Sequence, residues 1–385
     1  MLKQARGITI TNFLGALHYF LTVFILAPYL AQFMSESEVG LVFSAAALLS
    51  FFGFIILPKV LKLVSLKRFA QILSIVQFAV LIALMQSPST EVLVGLVVLL
   101  AALPALIGYT FDIFLEQATK SEGDTGNIRG FFITISNIAL VISPLAIGYI
   151  LGNGDAYIKI FALAAATLVP FMLLLSTLIK DVSHKETETL SLRGSLKCLL
   201  HSKDVILGAG AHFVMLLFFS WVAIYIPLYL HTELGIVWGD LGWVFSIMLL
   251  PYVFLEYPIG IMADRWFGER EIMMGGFAIM GLSMAMISFV TIPAITLFLI
   301  SILVLTRVGG AMAEITTETY FFKHVDGNDL NSISLFRMLR PTGALIGPLI
   351  GSLGLVFLSL QSLFIVLGGL CLLGIPLAFF IKDTR

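Results

Sequence analysis

Ionisable side chains carry most of the chemistry this chain can offer, because nearly everything around them is apolar. Glu256 and Arg307 each stand deep within a long hydrophobic run, where a lone charge is costly enough to need a partner. Each lies about 14 residues from the outer end of its run, roughly 21 Å down a helix rising 1.5 Å per residue. An ion pair between them is therefore expected, either a static one or one in which Glu256 takes up a proton and releases Arg307 toward an anionic solute. Asp112/Glu116 and Glu314/Glu318 are each one helical turn apart, so each pair presents two carboxylates on one face. They could be proton sites, or they could pair with Arg129, Arg337 and Arg340 and cap the N-terminal ends of the helices that follow.

Other polar residues in the apolar runs tend to face a bundle interior or a wet cavity. Thr11, Gly15, His18 and Thr22, flanked by Asn12 and Tyr19, fall on one face of the first run. That face reads as cavity lining or as small-residue packing between helices. His212, Phe218, Trp221, Tyr225 and Tyr229 recur at helical spacing in the seventh run. Tyr229 suits an interfacial belt. Trp221 and Tyr225 lie deeper and could stack on a solute or fill a core, and Tyr109 in the fourth run is a weaker candidate of the same kind.

The elements that must hold these residues are membrane spans. Hydrophobic residues make up 59% of the chain and charged residues only 12%, with a mean hydropathy of +1.05. A soluble domain carries roughly 25% charge, so bilayer is the solvent. Spans of about 20 apolar residues fall near 8–32, 40–57, 69–87, 92–115, 131–151, 157–179, 205–230, 242–262, 272–290, 294–316, 331–357 and 362–381. With both termini cytoplasmic, Lys and Arg collect on the inner side, Lys159 falling outside and Arg307 within a span. The first run is polar and lacks a small-residue cleavage site, so no cleavable signal peptide is expected. Residues 181–204 form a polar linker, with an amphipathic piece around 190–200, between bundles at 1–180 and 205–385. Cys198 and Cys371 are not placed for a disulfide or a metal site.

Residues 38–116 reappear 202 positions later without a gap. Glu38-Val-Gly-Leu-Val-Phe-Ser44 becomes Asp240-Leu-Gly-Trp-Val-Phe-Ser246, and Asp112/Glu116 become Glu314/Glu318. Glu256 and Arg307 fall on Phe54 and Ala105, so both members of the expected pair are missing together from the first copy. Duplicated bundles of this kind form solute sites at the interface of the repeats.

Twelve spans, a central cytoplasmic loop and a 6+6 repeat resemble the major facilitator superfamily over essentially the whole chain. Gly260-Ile-Met-Ala-Asp264-Arg265-Trp-Phe-Gly268-Glu-Arg270 resembles the family's loop motif Gly-x-x-x-Asp-Arg-x-Gly-Arg, with one extra residue before Gly268. The first-half copy has Lys62 where the acid should be. Thr306-Arg307-Val-Gly309-Gly310 resembles the family's Arg-containing motif. Gly343-Ala-Leu-Ile-Gly347-Pro348-Leu-Ile-Gly351 resembles its antiporter motif, but in span 11 rather than span 5. The resemblance implies an all-α fold of two pseudo-symmetric six-helix bundles working by alternating access. It also implies that Asp264 caps the inner end of span 11 beside Arg337 or Arg340, with Arg265 and Arg270 in the same gate.

Gly152-Asn-Gly154-Asp155 matches an aspartyl-protease string but falls in a short turn, and no hydrolase or phosphate-loop motif is present, so an enzyme is not expected. The reading is a proton-coupled secondary transporter in a prokaryotic inner membrane. It would export a small amphipathic or aromatic solute, act as a monomer, use no cofactor beyond the gradient, and bind no nucleic acid. The alternatives are an importer or facilitator of a sugar or small metabolite, and a membrane sensor or scaffold that does not transport.

Overall fold

The computed structural model describes residues 2–86, 89–118, 122–181, 203–292, 294–324 and 330–382, and these are helical with no strand among them. In lipid each backbone polar group must be satisfied within its own segment, which long apolar runs achieve as helices. The helices are α1 (Leu2–Leu30), α2 (Glu36–Val60), α3 (Leu66–Leu84), α4 (Thr90–Ala118), α5 (Glu122–Leu151) and α6 (Ile158–Thr177). Then follow α7 (Lys203–Glu233), α8 (Trp238–Phe267), α9 (Glu269–Phe289), α10 (Leu297–His324), α11 (Leu330–Leu355) and α12 (Leu360–Phe379). All but α11 are long and apolar enough to cross a membrane. The chain is a multi-pass membrane protein. Linker residues 182–202 with their amphipathic piece and Cys198, and Lys120, lie outside the described residues; Cys371 is free and buried in α12.

Contacts divide the chain into two units. Unit 1 is Met1–Phe33, Ala45–Thr187 and Val237–Ser246; unit 2 is Met34–Ser44, Glu188–Ile236 and Ile247–Arg385. In unit 1, α1 packs on α4, α5 and α6, and α3 packs on α4 and α6. Unit 2 repeats the scheme, with α7 on α10, α11 and α12, and α9 on α10 and α12. The sequence repeat is thus also a repeat of packing.

The chain passes close crossings on glycine. In unit 1, a Cβ on Gly242 would come within 2.7 Å of the Gly148 Cα and the Pro144 carbonyl oxygen of α5. In unit 2, a Cβ on Gly309 of α10 would meet the Gly276 oxygen of α9 at 2.7 Å. Small residues at such positions let helix backbones approach in a bilayer, where helix packing and not water drives association.

Helix α8 changes character along its length. Pro251 cannot donate to the helical ladder and crowds the preceding turn, while Leu255 keeps right-handed helical backbone and donates to the Pro251 carbonyl at 2.8 Å. The α8 helix then ends in a π-helical turn, Ala263–Phe267, closed by Gly268 N–H donating to the Ala263 carbonyl at 3.0 Å. A π turn holds one residue more than an α turn, so it absorbs the extra residue of the loop motif. Gly268 follows at φ 86°, a conformation glycine adopts without strain.

Candidate functional site

The expected Glu256–Arg307 ion pair does not form. Counted from the observed helix starts at Trp238 and Leu297, Glu256 lies further along its helix than Arg307. The equal depth expected from sequence came from helix ends a few residues off. The group facing Arg307 is instead Tyr252, one turn before Glu256 on α8.

Arg307 is 4% exposed and Tyr252 8% exposed. The Arg307 guanidinium carbon lies 6.0 Å from the Phe218 ring centroid of α7, within range of a cation–π contact. Neither Arg307 Nε nor the Tyr252 hydroxyl has a hydrogen-bond partner of good geometry. Two adjacent glycines of α10 create this arrangement. Gly309 brings α10 against α9. Gly310 makes room for the tyrosine, since a Cβ there would stand 2.6 Å from the Tyr252 oxygen and 3.1 Å from the Phe218 ring.

One turn further along α8, Glu256 is half-buried and within electrostatic reach of Glu314 and Glu318 of α10. Arg340 of α11 approaches Glu314 at 3.9 Å, with the Arg340 side chain 66% exposed. Three carboxylates thus cluster at the more open end, Glu314 against Arg340, while Tyr252 and Arg307 are buried. Sequence reasoning singled out every member except Tyr252. Its signal was available: a tyrosine one turn before a buried glutamate, where the first copy of the repeat has Ser50.

The remaining candidates are dispersed. Among the described residues, Asp264 pairs with Lys323 of α10 at 2.8 Å, and Lys323 also pairs with Glu269, whose side chain is 1% exposed. The π turn carries Asp264 toward the C-terminal end of α10. Arg270 pairs with Glu271 at 3.0 Å, and Arg265 and Arg337 are exposed. Asp112 and Glu116 are exposed on α4 of unit 1.

Trp221 and Tyr225 have no exposed surface, and their polar atoms are spent within the bundle. Trp221 Nε1 donates to the Gly347 carbonyl at 2.7 Å and the Tyr225 hydroxyl to the Pro348 carbonyl at 3.0 Å, fastening α7 to α11. The antiporter-like glycines of α11 serve this packing: a side chain on Gly351 would overlap the Tyr225 ring. His18 is likewise buried, with Nδ1 3.2 Å from the Ala164 carbonyl of α6. Asn12 Nδ2 donates to Ser136 of α5 at 2.8 Å. Tyr109 packs edge-on against Phe54, and Tyr19, at the margin of exposure, lies against Phe20.

Residues 208–385 match the model of the Major Facilitator Superfamily. Among solved structures, the chain is similar to the nucleoside transporter NupG, with a TM-score of 0.76 at 15% identity over 98% of this chain and 97% of that one. A mutant of NupG aligns at TM-score 0.74 and 16% identity, over 98% of both chains. The POT family transporter PepTSo aligns at TM-score 0.73 and 11% identity, over 98% and 97%. No protein of curated function matches the sequence. The chain has the twelve-helix fold of the major facilitator superfamily, and its residues from 208 onward carry that family's sequence pattern.

Proposed function

We propose that the protein is a proton-coupled secondary transporter that takes a small polar solute across a prokaryotic inner membrane by alternating access, both termini cytoplasmic. The observation that carries this reading is the polar set on α8, α10 and α11: Tyr252, Glu256, Arg307, Glu314, Glu318 and Arg340. Groups of this kind are expensive at membrane depth and are kept for ion and solute pathways. Three glutamates against Arg340 leave surplus negative charge that a transported proton neutralises, and the poorly satisfied donors of Arg307 and Tyr252 suit a polar solute. The expectation of an aromatic solute rested on Trp221 and Tyr225, which are packing residues here. The polar floor favours the metabolite alternative, and uptake with it. The fold is shared with transporters of nucleosides and of the POT family, and supports the transporter class.

The test is solute-driven proton movement in liposomes holding the purified full-length protein and a trapped pH dye. Adding a transported solute outside should acidify the lumen, and Glu256→Gln or Glu314→Gln should reduce that rate by about tenfold or more. Solute flux without proton flux would remove the coupling. Alkalinisation on solute entry would indicate exchange and restore the export reading. A protein that binds solutes but moves none would be the sensor or scaffold.

A further inference from the structure

We infer that the transported solute is a zwitterion, an ω-amino acid whose carboxylate reaches Arg307 and Tyr252 while its ammonium lies among Glu256, Glu314 and Glu318. This rests on the transport reading above and names the substrate class of the same site.

The floor calls for an acceptor. Arg307 Nε and the Tyr252 hydroxyl are buried and face each other without a hydrogen bond of good geometry, and a buried donor left poorly satisfied carries a penalty that a bound acceptor removes. A guanidinium presents its N–H groups as a planar fork, which a carboxylate matches with two parallel hydrogen bonds. Gly310 keeps the Tyr252 hydroxyl at this position, so the site offers hydroxyl and guanidinium to the same group.

The glutamates call for a cation. Arg340 is close to Glu314 alone, at 3.9 Å, and Glu256 and Glu318 have no ion-pair partner among the described residues. Together the two arginines and three glutamates sum to one negative charge, which one proton cancels. A zwitterion leaves that balance intact. A solute with only a carboxylate would add a second negative charge, and a phosphate more still. A solute with only an amine would leave the floor donors bare.

Spacing sets the length. Glu256 is one helical turn from Tyr252 and Glu314 two turns from Arg307, which separates the two ends of the site by roughly 5–11 Å. An α-amino acid holds its charges too close together to engage both.

The experiment uses the same proteoliposomes with the ω-amino acids from glycine to ε-aminocaproate. Caproate and hexylamine serve as single-charge probes, and uridine and glucose as neutral ones. Proton uptake should rise along the series and be about tenfold faster with ε-aminocaproate than with glycine, caproate or hexylamine, a charge-assisted pair being worth that much. Tyr252→Phe and Arg307→Lys keep side-chain volume or charge. Each should weaken ε-aminocaproate about three- to tenfold while leaving competition by hexylamine unchanged. Arg307→Gln should abolish the advantage of the carboxylate. Caproate or hexylamine matching ε-aminocaproate would overturn the inference, as would wild-type uptake of ε-aminocaproate by both conservative variants. If uridine or glucose moves protons and the zwitterions do not, the substrate class is wrong and the transporter reading stands. If no probe moves protons in vesicles that hold an imposed pH gradient, both fail.

Discussion

Helices α2 and α4, mostly of unit 1, and α8 and α10, mostly of unit 2, are copies of one repeat, yet they carry opposite contents. Where unit 2 has Tyr252, Glu256 and Arg307, unit 1 has Ser50, Phe54 and Ala105. Ser50 satisfies its hydroxyl on the Ala102 carbonyl of α4 at 2.9 Å, and Phe54 packs on Tyr109. Unit 1 therefore leaves no donor at these positions waiting for an acceptor, whereas unit 2 leaves two. The glycines differ in the same way. Gly108 in α4 has nothing within 4 Å of a Cβ position, while its counterpart Gly310 is filled by Tyr252. The same backbone has been kept as an ordinary helix pair in one unit and converted into a polar site in the other.

The contrast is sharpest beside that glycine, where Ile107 in α4 corresponds to Gly309 in α10. Gly309→Ile, copying unit 1, would drive a side chain into the α9 backbone at Gly276 and Met280. Backbone cannot yield as a flexible side chain can, so a cost of about 3 kcal/mol is expected. The reciprocal change, Ile107→Gly, removes a side chain that is 7% exposed and should cost a comparable ~2–4 kcal/mol by leaving a cavity. Thermal unfolding in detergent measures both. If either copy accepts the other's residue without loss, the two helix pairs have not diverged in packing.

The loop that follows α8 makes a second break between the copies. Asp264 and Glu269 in unit 2 correspond to Lys62 and Lys67 in unit 1. Lys67 Nζ donates to the Ser176 carbonyl at 2.6 Å, and Lys323 is held by the two acids. Lys323→Ala should strand the buried Glu269 carboxylate, costing about 2 kcal/mol. Lys67→Ala should cost under about 1 kcal/mol, because the amide oxygen it releases carries no net charge. Equal losses would mean that Glu269 finds another partner.

Much of this architecture was legible in the sequence because it depends on length and composition. Apolar runs fix the helices, and the gapless 202-residue register fixes which positions correspond. The site was legible only in its membership. Glu256, Arg307, Glu314, Glu318 and Arg340 stand out as charges in apolar surroundings, but who faces whom depends on helix starts and breaks. Beginning α8 at Trp238 moves Glu256 away from the level of Arg307 and leaves Tyr252 there. The face of a helix is equally hidden. Trp221 and Tyr225 have the same spacing whether they meet a solute or α11, and the carbonyls of Gly347 and Pro348 that receive them cannot be read from α7.

The smallest expected effect tests the comparison most closely, because a single methyl is added at matched positions. Alanine in place of a mid-helix glycine gains roughly 0.5–1 kcal/mol of backbone entropy wherever the Cβ has room. Gly108→Ala has that room and should be neutral or slightly stabilising. Gly310→Ala gains the same backbone term but places its methyl 2.6 Å from the Tyr252 oxygen and 3.1 Å from Phe218. The tyrosine must then turn away from Arg307, and overpacking of this kind should leave a net loss of about 1 kcal/mol. Because the clash is with a hydroxyl, Tyr252→Phe in the same chain should recover most of that loss without recovering solute affinity. Recovery of both would mean that the hydroxyl does not bind solute. No recovery of stability would place the clash on Phe218, and the space at Gly310 would then serve packing alone.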